Sequence, residues 1–111
     1  MRRPVLPLAF VLLGIALGAQ AAEPVHIQIK GQAFLPAEFN VPAGEKVQLV
    51  ISNLDELPAE FESTDLSREI VVPAHGQVKV YIGPLDAGRY RFFNDSHQSA
   101  EGWVTAVAAP K

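Results

Sequence analysis

Between residues 25 and 107 apolar side chains recur at every second position in short runs, the period of a strand with one buried face. No run sustains the three-to-four spacing of an amphipathic helix. Eight segments follow the strand pattern: Val25 to Ile29, Glu38 to Val41, Lys46 to Ile51, Ala59 to Glu62, Glu69 to Val72, Val78 to Ile82, Arg89 to Phe93 and Trp103 to Val107. Turn-forming residues stand between them, at Gly31, Pro36, Pro42-Ala43-Gly44, Pro58, Pro73-Ala74-His75-Gly76, Pro84 and Gly88. Seven to eight short strands at this spacing predict an all-β, Greek-key β-sandwich. The alternation points Ile27, Ile29, Val47, Leu49, Ile51, Phe61, Val78, Val80, Ile82, Tyr90 and Phe92 inward. Each such side chain, once buried, contributes ~1.5–3 kcal/mol.

Two local features refine the picture. The run Pro84-Leu85-Asp86-Ala87-Gly88-Arg89-Tyr90 has the form of a tyrosine corner, in which a strand-starting hydroxyl bonds back to the preceding connection; Tyr90 is then structural. After Ile51 the strand rhythm breaks, and Asp55, Glu56, Glu60, Glu62, Asp65 and Glu69 crowd together. A solvated acidic loop and a cation-binding segment are both open readings of that crowd.

The N-terminus reads differently. Arg2 and Arg3 precede an apolar run from Val5 to Ala19 and the small-residue pattern Ala19-Gln20-Ala21. This predicts a signal peptide over residues 1–21 and one folded domain over residues 22–111. A spanning helix would need ~20 apolar residues, and this run is shorter, contains Pro7 and ends in a cleavage-like site, so no direct membrane insertion is expected after cleavage. Without Arg2 and Arg3, seven Lys and Arg face twelve Asp and Glu. Such a balance disfavours nucleic acid and anionic membranes as partners and favours cations. The chain has no cysteine, which removes disulfides, thiolate catalysis, Cys-rich zinc sites and iron–sulfur clusters.

Three stretches together resemble the cupredoxin family: Phe39-Asn40-Val41-Pro42-Ala43-Gly44 followed by Val47 to Asn53, then Pro58 to Glu62, then Gly88 to Val107. The resemblance implies a cupredoxin-like sandwich with a ligand loop near its C-terminal end. At the family's metal positions the chain departs: the first histidine falls at Glu60, the cysteine at Asn94, the second histidine at His97 and the methionine at Trp103. The loop from His97 to Trp103 is one residue longer than the family pattern. Blue-copper electron transfer needs a thiolate bound to copper, so that function is excluded. The runs Glu60-Phe61-Glu62-Ser63, Pro84-Leu85 with Gly88 and Tyr90, and Phe92-Phe93-Asn94-Asp95-Ser96-His97 with Gly102 resemble more closely a cupredoxin-like component of bacterial ferrous-iron uptake systems. That resemblance implies a periplasmic location, a membrane iron permease and a periplasmic iron-binding protein as partners, and a role in binding iron or copper and assisting iron oxidation.

The residues themselves supply a candidate centre. Glu60 and Glu62 lie two apart on a strand and so share one face, while Phe61 points to the other. Asp95 and His97 are likewise two apart. Three carboxylates and one imidazole, Glu60, Glu62, Asp95 and His97, suit an iron ion, with a copper ion as the alternative and Glu69 and Glu101 in reserve. His26 and His75 read as surface histidines, and Trp103 as a packing residue capping the sandwich end. A stand-alone ferroxidase ranks lower, because one mononuclear site cannot collect the electrons that oxygen reduction needs. A metal-free sandwich used for protein contacts stays open, since fold does not fix function. A hydrolase is not expected, because no serine is paired with a base.

Overall fold

Nine strands carry the described residues, which in this computed structural model are residues 22–110; the expected signal peptide lies outside them. They are β1 (Val25–Lys30), β2 (Ala33–Leu35), β3 (Glu38–Pro42), β4 (Val47–Asn53), β5 (Ala59–Ser63), β6 (Arg68–Val72), β7 (Gln77–Ile82), β8 (Gly88–Asn94) and β9 (His97–Val107). Four form one sheet in the order β2-β1-β4-β7, and five form the other in the order β3-β9-β8-β5-β6. The β1/β4 and β3/β9 pairs are parallel and the rest antiparallel. No helix occurs among the described residues, as the periodicity requires.

Two elements depart from the expected pattern. The three-residue strand β2 is too short to show alternation, and it exists because Gly31 and Gln32 close a two-residue hairpin with φ of 59° and 67°. The Asp55 carboxylate holds that turn, accepting Gly31 N–H at 2.8 Å and Gln32 N–H at 2.7 Å. Strand β9 begins at His97, six residues earlier than its apolar run, because Gln98, Ser99 and Glu101 are exposed and leave no hydrophobic signal.

The core lies between the sheets. Ile27, Ile29, Val47, Leu49, Ile51, Phe61, Ile82 and Phe92 are buried as expected, joined by Phe34, Val41, Leu66, Val72 and Val104. Val78, Val80 and Tyr90 pack against this core but stay half-buried. For the two valines the reason is that β7 is the edge of its sheet. Phe34, Phe61 and Phe92 meet at centroid distances of 4.9–6.0 Å, edge-on or stacked. The tyrosine corner is present: Tyr90 Oη donates to the Asp86 carbonyl at 2.7 Å. Tyr90→Phe is expected to cost about 1 kcal/mol. Urea denaturation should show this as a lower midpoint at unchanged slope.

Candidate metal centre

Strand β5 starts immediately after Pro58 and alternates cleanly. Ala59, Phe61 and Ser63 are buried, whereas Glu60 and Glu62 are half-buried on the outer face of the five-stranded sheet. Phe61 anchors the strand in the aromatic core, so the two carboxylates cannot turn inward without expelling it. Asp95 comes from the tight connection between β8 and β9, and its N–H donates to the Glu60 carbonyl at 2.9 Å. One carboxylate oxygen from each of Glu60, Glu62 and Asp95 lies within 4.8 Å of the other two.

The charges in this group oppose one another. Glu69 stands directly across from Glu62 on β6. The Glu60 carboxyl is raised above its ordinary pKa of 4.5, first by burial, then by the hydrogen bond it shares with Asp95, then by the charges of Glu69, Asp95 and Glu62. Glu62 is raised as well, by burial first and by Asp95 and Glu69 after it. The neighbouring cation Arg91 is engaged elsewhere: its Nε donates to Glu101 Oε1 at 2.5 Å, and its guanidinium stacks on Phe93 at 4.8 Å. Glu101 is thus paired with Arg91 and lies outside the three-carboxylate group, while Glu69 stands beside it. A small cation held among these oxygens would relieve both the desolvation and the repulsion.

The structure brings together three of the four expected residues. His97 is exposed and outside the three-carboxylate group, with Nε2 3.1 Å from Ser99 Oγ. The β8/β9 pairing explains this placement. Phe93 faces Glu101 but Asn94 faces His97, so Gln98, Ser99 and Ala100 are the extra residues of an irregularity that leaves His97 at the hairpin tip. His26 is exposed on β1, and His75 sits in a turn with φ of 55°. Trp103 does not cap the sandwich end. It lies on the outer sheet face, half-buried, with the Arg89 guanidinium 4.3 Å from its ring centre.

Asn94, at the position that resembles the family's cysteine, has a structural role that the resemblance does not imply. It is fully buried, and its amide is committed at both ends. Oδ1 accepts the Glu60 N–H at 3.1 Å and the Ser96 N–H at 3.0 Å, and Nδ2 donates to the Gln32 carbonyl at 3.1 Å. The signal was present in Asn94-Asp95-Ser96, because asparagine favours a turn in which its side chain bonds the backbone two residues on. Asp55 was likewise hidden in the acidic crowd, although it serves backbone amides and not a cation. Asp65 does the same, accepting the Arg91 N–H at 2.8 Å.

The four positions that resemble cupredoxin ligands therefore do not face one space. Glu60 and Trp103 lie on the outer sheet face, Asn94 lies inside with its amide fully used, and His97 is at the tip. A thiolate copper centre does not fit this arrangement.

Comparison with known proteins gives the setting. The model of a cupredoxin-like domain matches residues 5–106. An uncharacterised protein of Rickettsia prowazekii is 41% identical over 81 residues, which cover 72% of this chain and 65% of that protein's length. Plastocyanin of Sambucus nigra is 29% identical over 79 residues, covering 61% of this chain and 79% of plastocyanin. Among solved structures, the metal-binding domain of the Cu(I)-exporting P-type ATPase of Streptococcus pneumoniae, determined with Cu(I), superposes with a TM-score of 0.66 at 15% identity, covering 76% of this chain and 84% of that domain.

Proposed function

Because the chain belongs to the cupredoxin-like domain family, whose fold it shares with copper-binding proteins, we propose that it is an exported metal-binding protein whose cation site has moved from the interior to the outer sheet face. The observation that carries this reading is the convergence of Glu60, Glu62 and Asp95 within 4.8 Å, two of them held partly out of water and repelling one another. All-oxygen donors suit a hard or borderline cation, and cuprous copper, which prefers sulfur, is disfavoured. Ferrous iron is the first occupant of this reading and a cupric ion the second. His97 serves as a fourth donor once it turns away from Ser99. The protein would then work in the periplasm, passing or holding iron for a membrane iron permease and a periplasmic iron-binding protein.

The test is anaerobic titration of the protein with ferrous iron and, separately, cupric copper, with occupancy read by metal analysis. Saturable one-to-one binding is expected. Glu60→Ala removes one of the three gathered carboxylates and should weaken binding by at least about a hundredfold, the upper end of what losing even an orienting partner costs. His97→Ala should weaken it less, since the imidazole is not gathered with the carboxylates. Absence of saturable binding of iron, copper, manganese and zinc would leave a metal-free interaction module as the better account.

A further inference from the structure

Resting on the metal reading above, we propose that Asn94 is the positioning residue of the centre, setting the distance between Glu60 and Asp95. Glu60 lies on β5 and Asp95 in the connection that leaves β8, and the β5/β8 ladder that joins them is short, pairing Phe61 with Asn94 and Glu62 with Phe93. Asn94 reinforces its end of that ladder from inside. One amide oxygen accepts from the N–H of Glu60 and from that of Ser96, the residue that follows Asp95, and so ties the backbone on both sides of the gap between Glu60 and Asp95. The same amide's nitrogen is tied to Gln32 of the opposite sheet, whose N–H is in turn held by Asp55. Asp55 N–H donates to Asn53 Oδ1 at 2.9 Å, and the buried Asn53 amide donates to the carbonyls of Leu57 and Val72. The chain of bonds Asn53–Asp55–Gln32–Asn94 therefore clamps both sheets at this end of the sandwich. The outer carboxylates are presented on a backbone that is fixed before any ion arrives.

A preorganised centre loses affinity when a partner that orients its ligands is removed, commonly by about 10–100-fold. Asn94→Ala and the milder Asn94→Ser, whose short hydroxyl cannot span both N–H groups, are each expected to weaken ferrous-iron and manganous binding at least about tenfold in the folded fraction. Ile82→Ala, a core change at the far end of β7 that also lowers stability, should leave the affinity unchanged. Hydrogen exchange on the wild-type protein adds a reading that needs no variant: the Glu60 and Ser96 amides should be protected in the metal-free state. If those amides exchange freely until metal is added, or if the Asn94 variants bind as tightly as wild type, Asn94 positions nothing. If wild type binds no cation while the two amides are protected, the metal reading itself is what has failed, and the clamp is purely structural.

Discussion

The Glu60→Gln, Glu62→Gln double variant is expected to lose saturable cation binding and yet to melt at a higher temperature than wild type when both are metal-free at pH 7. The substitution keeps the shape and removes two of the charges that burial and neighbouring carboxylates disfavour. The sign follows from the direction of the shifts. A carboxyl whose folded-state pKa is raised contributes stability that is fully present below its unfolded value and is lost as the pH rises through the folded value. Acidifying the metal-free wild type towards its ordinary carboxyl pKa of 4.5 should therefore close the gap to the variant. Metal binding runs the opposite way, since ligands must be deprotonated, and affinity should fall across the same window. Thermal melts with and without metal at pH 7 and near pH 4.5 check both signs. A metal-free variant no more stable than wild type at neutral pH would mean that the carboxylates are not in conflict.

The second large effect lies two strands away, on β9. Gly102 pairs with Phe92, and a methyl group placed on it would overlap the Phe92 ring and the Ala37 carbonyl oxygen. The ring is fully buried among Phe34, Phe39 and Phe61, and the carbonyl is backbone that accepts the Trp103 N–H at 2.8 Å, so neither neighbour can yield cheaply. Gly102→Ala should cost roughly 3 kcal/mol, at the upper end of ordinary overpacking. For a domain of this size that is a fall in Tm of more than about 10 °C. Calorimetry showing a Tm within about 3 °C of wild type would mean that the sheet flexes at this point.

Where a strand's own residues alternated, the sequence was sufficient. β1, β4, β5 and β8 lie within a residue or two of their apolar runs, and the outward pairing of Glu60 with Glu62 followed from the same two-residue period. What escaped was set by residues distant in the chain. β2 depends on a turn held by Asp55, twenty-three residues from Gln32, and the first half of β9 is polar on every exposed position. The centre divides in the same way. Glu60, Glu62 and Asp95 could be placed by local spacing and the resemblance, whereas the exposure of His97 depends on an irregular β8/β9 register that no local pattern announces. By resemblance Asn94 occupies a cysteine position, which says nothing of the bonds its own amide makes. Its three hydrogen bonds reach residues as far as 62 positions away.

The order of strands in the larger sheet governs when that sheet can exist. β9, the last strand in sequence, lies in its interior, with β8 antiparallel on one side and β3 parallel on the other. Glu38 must wait for Trp103 before β3 has any partner, and such long-range pairing makes folding slow compared with a chain built from local contacts. The β5/β6 hairpin is local, so what comes late is the completion of the sheet by β9 and β3. Until residues 103–107 take their place, β3 is an unpaired edge, so a chain cut short before Trp103 would lose the pairing of β3 with β9 in that half of the sheet.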